Sequence, residues 1–489
     1  MSPYNPFGLQ DAELLRHSPY VDGQWIKGDG APLEIRNPAN GGFLGQVETL
    51  AADGVARAIE AAARTLPHWR ALAAKERGAI LEKWQTLIVE HADDLARIMT
   101  LEQGKPLAEA KAEVLSGAAF AKWFAEEGKR VYGEIIPPFQ NDRRLLVFRE
   151  AVGVCAAITP WNFPSSMIVR KTAPALAAGC SLILKPAEST PFSALALVEL
   201  AQRAGVPPGV FNVVLGEPAV IGQVFTRHPS VRKISFTGST RVGRLLLAQA
   251  AEQVQKVTLE LGGNAPFIVF ADANLEAAVT GAITAKFRNA GQFCVAANRI
   301  LAHESLFAAF VERYAQAAAA LKVGDGLAAD SQVGPLINRK ALERVQALVD
   351  DAVAGGGRVV TGGKPHALGG LFFEPTVITH AAANARLLRE EIFGPLINVQ
   401  SFKDDDEAIR LANDTKYGLA SYFYTRDINR LLRVSEALQF GMVAVNTPII
   451  AAESSPFGGI KASGQGREGS RHGIEDYLEL KTVWVAEDR

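Results

Sequence analysis

The covalent chemistry open to this chain starts at Cys294, in the run KFRNAGQFCVAANR. A lone cysteine in an apolar helix is ordinarily a core residue. This one follows Asn-Ala-Gly-Gln, a small and polar stretch that reads as a loop. A thiol there acts as a nucleophile if its pKa is lowered and a base lies within reach. Glu260, in VTLELGGNAP, is the candidate base. It ends a strand and precedes Gly262 and Gly263, a setting that projects an acid into a cleft instead of into packing. Asn162, in AITPWNFPSSM, also stands at a strand end. Its side-chain amide is suited to hold the oxyanion formed when a thiolate attacks a carbonyl. Nucleophile, base and oxyanion donor together would suit thiolate attack on a carbonyl.

Other pieces suit a nucleotide. No GxGxxG follows a strand, so the usual dinucleotide fingerprint is absent. In its place SFTGSTRVG sets Gly238, Ser239 and Gly243 at the mouth of a helix, where backbone N–H groups and the positive helix end favour a pyrophosphate. LILKPAEST places Lys185 and Glu188 at the end of another strand, within reach of ribose hydroxyls, although such a pair alone is more often a solvated turn. In REEIFGPL, Glu391 and Phe393 precede Gly394 and Pro395, which reads as a strand-flanking turn.

The elements that must position these residues are legible as an α/β pattern. Residues 51–129 carry helical periodicity throughout. From 151 to 260 short apolar strands (AVGVCAAIT, SLILKP, VFNVVLG, VRKISFTG) alternate with helices of ten or more residues, and the alternation resumes after 262. Buried strands separated by helices imply parallel sheets with right-handed crossovers, which bind ligands at the strands' carboxyl ends. The β-rich pieces at 130–149 and YLELKTVWVAEDR fit neither sheet and are expected to form a small oligomerisation sheet, because unpaired edges need partners.

Composition narrows the function. The 489 residues are 48% hydrophobic and 21% charged with a formal net charge of −1, so no overall field favours nucleic acid or an anionic membrane. No run of about 18 apolar residues appears, and the N-terminus does not read as a signal peptide. The three cysteines, Cys155, Cys180 and Cys294, form no CxxC, which argues against a disulfide framework and for a reducing cytoplasm. The eight histidines show no ligand spacing, so no metal is expected.

TPWNFP, KPAES, FTGSTRVG, ELGGNAP, GQFC, EEIFGP and PFGGIKASG, in that order, resemble the aldehyde dehydrogenase superfamily over residues 18 to 485. VRKTAPALAAGC, KFRNAGQ and SPFGGIKASGQGREGSRHGIEDYLELK are most similar to its succinate-semialdehyde dehydrogenase branch. The resemblance implies two Rossmann-like parallel-sheet domains and a small β arm. The NAD(P)-binding domain would take 1–129 and 150–261, the catalytic domain 262–465, and the oligomerisation arm 130–149 and 466–489. It implies Cys294 as nucleophile, Asn162 with the Cys294 backbone N–H as oxyanion hole, and Glu260 as the base for thioester hydrolysis. Lys171 and Glu391 match positions that assist proton relay and hold the nicotinamide ribose, and Phe393 packs near the nicotinamide. Lys185 and Glu188 match the adenosine-ribose binders, Ser239 meets the pyrophosphate, and Trp161, Pro218, Phe236, Gly238 and Gly243 complete the cofactor side.

Arg170 and Arg288 match positions that grip a distal carboxylate in the semialdehyde branch, with Phe163, Phe293, Ala451 and Phe457 also on the substrate side. Ala451 replaces a serine common in that branch, and Phe293 replaces a threonine. The pocket is therefore bulkier and more apolar, which leaves open a longer or ketone-bearing acid semialdehyde, or an uncharged or aromatic aldehyde. Ala296 replaces a second cysteine that some members carry. The expected cofactor is NAD in preference to NADP, because Glu188 would repel a 2′-phosphate while Lys185 leaves some NADP activity. The expected partners are a small aldehyde and further copies of the chain, as a homodimer or homotetramer. Two rival readings differ in class. A cysteine hydrolase or acyltransferase leaves FTGSTRVG and KPAES without a purpose, and a non-catalytic member of the fold would not need Cys294, Glu260 and Asn162 together.

Overall fold

The computed structural model describes residues 7–486. Positions 1–6 and 487–489, the latter being the end of the C-terminal strand reading, lie outside the described residues.

Four helices, Ala52–Ala71, Ala74–Glu90, Ala92–Gln103 and Leu107–Glu127, fill the segment with helical periodicity. The first large sheet has eight strands. Five are parallel neighbours in the order Lys256–Glu260, Val231–Thr237, Val154–Ile158, Ser181–Lys185 and Phe211–Val213. Their residues are buried almost without exception, which is why they read as continuous apolar runs and not as alternating ones. Two of the intervening helices, Ser166–Ala178 and Pro191–Ala204, are closed by glycines in the left-handed region, Gly179 at φ 93° and Gly205 at φ 97°. The short strand Gly464–Gln465, at a boundary drawn from the sequence, pairs antiparallel with Lys256–Glu260 and so joins this first sheet.

The second sheet runs Arg358–Thr361, Thr376–Thr379, Leu396–Phe402, Ala297–His303, Ala265–Val269, Ala420–Tyr424 and Met442–Val445, parallel except for its first pair. A third, antiparallel sheet is formed by Leu478–Ala486, Arg143–Ala151 and Glu134–Ile136, so the two β-rich pieces do meet. Ile135, Leu480 and Trp484 are among its exposed apolar side chains, with Phe139 exposed in the connection between its strands. An antiparallel hairpin, Leu33–Arg36 with Phe43–Val47, lies outside the strands read from sequence. Among the described residues, no helix is long and apolar enough to cross a membrane.

Candidate active site

Cys294 is carried by a loop that local preference alone would not form. Helix Leu275–Phe287 ends at Phe287, and Asn289 (φ 49°, ψ 34°) and Ala290 (φ 54°, ψ 32°) then adopt left-handed backbone. Such non-glycine conformations cost about 1–3 kcal/mol each and need support from their surroundings. The support is specific. The Asn289 N–H donates to Glu109 Oε2 at 2.8 Å, its Nδ2 donates to the carbonyls of Asn162 and Gln292 at 3.1 Å each, and its Oδ1 accepts from Gln103 Nε2 at 2.9 Å.

The two glycines after Glu260 let this loop approach. A Cβ on Gly263 would overlap the carbonyl oxygen of Cys294, and one on Gly262 would stand 2.5 Å from Glu391 Oε2. The Gly263 N–H donates to Glu391 Oε1 at 3.0 Å. Glycine at 263 is thus a steric requirement of bringing the Cys294 loop to this strand end, whereas at 262 it leaves room for the Glu391 carboxylate.

Two cavities meet at Cys294, which lines both. One, of about 330 Å³, is lined by Trp161, Asn162, Thr237, Gly238, Ser239, Glu260, Glu391 and Phe393, together with residues of the 337–344 segment. It opens at the carboxyl ends of strands Val231–Thr237 and Lys256–Glu260, beside the start of helix Thr240–Ala250, which Ser239 caps by accepting the Val242 N–H. The Trp161 and Phe393 rings meet edge to face with centroids 5.6 Å apart. Thr237 Oγ1, Glu260 Oε2 and Asn162 Oδ1 are buried with no hydrogen-bond partner among the described residues. Orphaned polar atoms, a helix N-terminus and an aromatic edge suit a nicotinamide dinucleotide. The other cavity, of about 240 Å³, is lined by Phe163, Arg170, Arg288, Phe293, Ala451 and Phe457, among others.

Electrostatics differ sharply across the site. Burial pushes the Cys294 thiol up to about 12, with Glu391 and Glu260 adding to the shift and Arg170 opposing it. The lowered thiol pKa that a nucleophile needs is therefore not built into the protein alone, and the proton must pass to a base as the bond forms. Burial and the nearby Glu468 hold the Glu260 carboxyl well above the ordinary carboxylate range, against Lys171 and Arg170. Glu391 is raised to about 7, chiefly by burial. Lys171 Nζ donates to Glu468 Oε1 at 2.5 Å and Ser235 Oγ at 2.9 Å.

In the second cavity Arg170 is 6% exposed, with its guanidinium over the Phe120 and Phe457 rings at 4.7 and 4.5 Å. Its Nε and Nη1 lack hydrogen-bond partners among the described residues, and Glu468 Oε2 stands 3.8 Å from Nη1. Arg288 is exposed and lies over Phe163 and Phe293 at 5.6 and 5.1 Å.

Some residues named from the sequence are not brought to the cavities. Phe236 points into the core with Leu246, Leu259 and Leu261, and its ring is what a Cβ on Gly238 would strike. Gly243 packs helix Thr240–Ala250 onto Leu261, where a Cβ would meet Leu261 Cδ2. Pro218 is exposed at the first position of helix Pro218–Arg227. Lys185 and Glu188 lie at the end of strand Ser181–Lys185 and are ion-paired to each other, with Lys185 Nζ also donating to the Pro186 carbonyl at 3.0 Å. Sequence reasoning gave no role to Lys105, Glu109, Glu113, Gln292 or Glu468. The one signal at Glu468 is a charge set among glycines in GQGREG.

Residues 25–483 match the model of the aldehyde dehydrogenase family. The succinate-semialdehyde dehydrogenase (NADP(+)) GabD of Escherichia coli strain K12 is 56% identical over 478 residues, 98% of this chain and 99% of that one. A glutarate-semialdehyde dehydrogenase of Pseudomonas aeruginosa is 56% identical over 474 residues, 97% of this chain and 98% of that one. The crystal structure of a succinate-semialdehyde dehydrogenase from Burkholderia pseudomallei has a TM-score of 0.97 and 55% identity, covering 98% of this chain and 100% of that one.

Proposed function

The chain belongs to the aldehyde dehydrogenase family, and from that premise we propose that it oxidises an acid semialdehyde to the dicarboxylate through a thioester on Cys294. The observation that carries this reading is Cys294 standing between two cavities, one with the groups suited to a dinucleotide and one holding a buried arginine with unpartnered donors. The names of the two similar enzymes, acting on succinate and glutarate semialdehydes, support the same class.

Each residue has one task in this reading. Cys294 Sγ attacks the aldehyde carbon as its proton leaves to a base. The Asn162 amide and the Cys294 backbone N–H donate to the oxyanion. The bound nicotinamide supplies the hydride acceptor. Glu260 then takes a proton from the water that cleaves the thioester. Trp161, Ser239, Glu391 and Phe393 would hold the cofactor near the reacting end, and Lys185 with Glu188 its adenosine ribose. Lys171 and Glu468 set the field around Glu260. Residues 1–129 with 150–261 would form the cofactor domain, to which the strand Gly464–Gln465 adds an edge, and the rest of 262–465 the catalytic domain. The arm (130–149 and 466–489), with its exposed apolar side chains, would join copies into a homodimer or homotetramer in the cytoplasm.

A steady-state panel of aldehydes with and without a distal carboxylate, run with both cofactors, tests the substrate class. A second reading, an uncharged or aromatic aldehyde, draws on Ala451 and Phe293 in the wall of the substrate cavity, and equal kcat/KM for charged and uncharged aldehydes of one length would favour it. Arg170→Ala is expected to raise KM for an acid semialdehyde about tenfold to a hundredfold, the range for losing a charge-assisted hydrogen bond. Arg288→Ala, at an exposed position, should do so less. Neither should change KM for an uncharged aldehyde of similar length, and an equal effect on both substrates would return these arginines to a packing role.

Cofactor choice is read from Glu188. Its carboxylate accepts bonds from ribose hydroxyls, whereas a 2′-phosphate would face it across a partly desolvated cleft and would have to draw Lys185 from its pair. NAD is expected to give the higher kcat/KM, with Glu188→Ser narrowing the gap. A tenfold preference of the wild type for NADP would overturn this assignment.

A further inference from the structure

We propose that Lys105, held by Glu113, is a positioning residue for the oxyanion site, fixing the Asn162–Phe163 peptide and through it the Asn162 amide. The proposal rests on the reading of Asn162 as oxyanion donor. Lys105 lies two residues before helix Leu107–Glu127, far from Asn162 in sequence, and is 2% exposed. An ammonium has three N–H donors. Here one meets Glu113 Oε2 at 2.5 Å, another meets the Asn162 carbonyl at 2.7 Å, and the Phe163 ring centroid stands 4.1 Å from Nζ.

Glu113 completes the clamp on the far side of the same turn. Its Oε1 accepts the backbone N–H groups of Ser165 at 2.9 Å and Ser166 at 3.1 Å. The ion pair therefore spans Asn162 to Ser166, tying the carbonyl at one end and the start of helix Ser166–Ala178 at the other. Gly117, one turn further along, admits that helix closely, since a Cβ there would stand 3.2 Å from Ser166 Cα. Asn162 itself has its Nδ2 donating to the Gln292 carbonyl at 2.9 Å, so a slip of its peptide would re-aim the amide away from Cys294. An ion pair this deep gains little stability over an apolar replacement. Its fit to one backbone carbonyl and two N–H groups instead specifies geometry.

The test is a double-mutant cycle on the pre-steady-state NAD(P)H burst with an acid semialdehyde. Lys105→Met is paired with Lys105→Met/Glu113→Gln, because the single change leaves a buried carboxylate unpaired and endangers folding. In the double variant the amide oxygen introduced by Glu113→Gln can still accept from the Ser165 and Ser166 N–H groups. The burst rate constant should fall about tenfold to a hundredfold, approaching the loss of an oxyanion donor. Burst amplitude per folded subunit and cofactor affinity should not change. In an Asn162→Ala background the same substitutions should alter the burst rate less than about twofold. A fall in amplitude with an unchanged rate constant would make the pair merely structural and overturn the proposal, as would additive losses in the cycle. An Asn162→Ala enzyme with a normal burst would instead remove the oxyanion reading on which the proposal stands.

Discussion

Cys294→Ala is expected to abolish NAD(P)-linked aldehyde oxidation, by a factor on the order of 10⁴ or more, as losing a covalent nucleophile does elsewhere. The variant should fold and still bind NAD, because the loop that carries Cys294 is held by Asn289 and Gln292, not by the thiol. Neither other cysteine is placed to replace it. Cys155 and Cys180 are wholly buried in the first sheet's core, away from both cavities. A thermal-shift titration with NAD and a turnover assay on the same preparation decide the matter. More than a trace of activity in a variant that binds cofactor normally would exclude the thioester.

Glu260→Gln should separate the two half-reactions. General bases contribute about 10²- to 10⁴-fold, so turnover should fall by that order while the burst of NAD(P)H persists, because acylation precedes the water step. The pH dependence follows from the raised carboxyl. A base must be ionised, and Glu260 loses its proton only above the ordinary carboxylate range because burial and Glu468 penalise its charge. Wild-type deacylation should therefore decline as pH falls through that raised value, at a pH where an exposed glutamate would still be fully ionised. The Gln variant should show no such acid limb. Loss of the burst with an unchanged deacylation rate would assign Glu260 another role.

The elements of the fold were legible because parallel strands buried on both faces leave apolar runs, and helices end at glycines such as Gly179 and Gly205. Cys294, Glu260 and Asn162 stood out as candidates because polar residues beside glycine and proline at the ends of apolar strands have few uses in packing. Residue type alone, however, did not show that Phe236 and Gly243 pack against leucines and not on the cavity lining. Strand alternation turns Phe236 to the leucines and sends its neighbour Ser235 to Lys171, and Gly243 sits on the sheet side of its helix.

Sequence by itself thus determined the family and the two largely parallel sheets, and it singled out Cys294, Glu260 and Asn162 as candidates, since each is written in a short run of neighbours. Only the tertiary structure decided what surrounds them. Glu468 reaches Lys171 across 297 positions, Glu109 reaches Asn289 across 180, and Lys105 reaches Asn162 across 57. The N-terminal helices read only as an amphipathic scaffold, yet one of them, with the residues just before it, delivers Glu109 to the Cys294 loop and Lys105 and Glu113 to the Asn162–Ser166 turn. Glu109 and Glu113, four apart, share a helix face, but periodicity does not say which face meets which loop. The thiol's pKa is likewise a property of the assembled site. Burial and the two carboxylates raise it, and neither exists until distant segments have packed together.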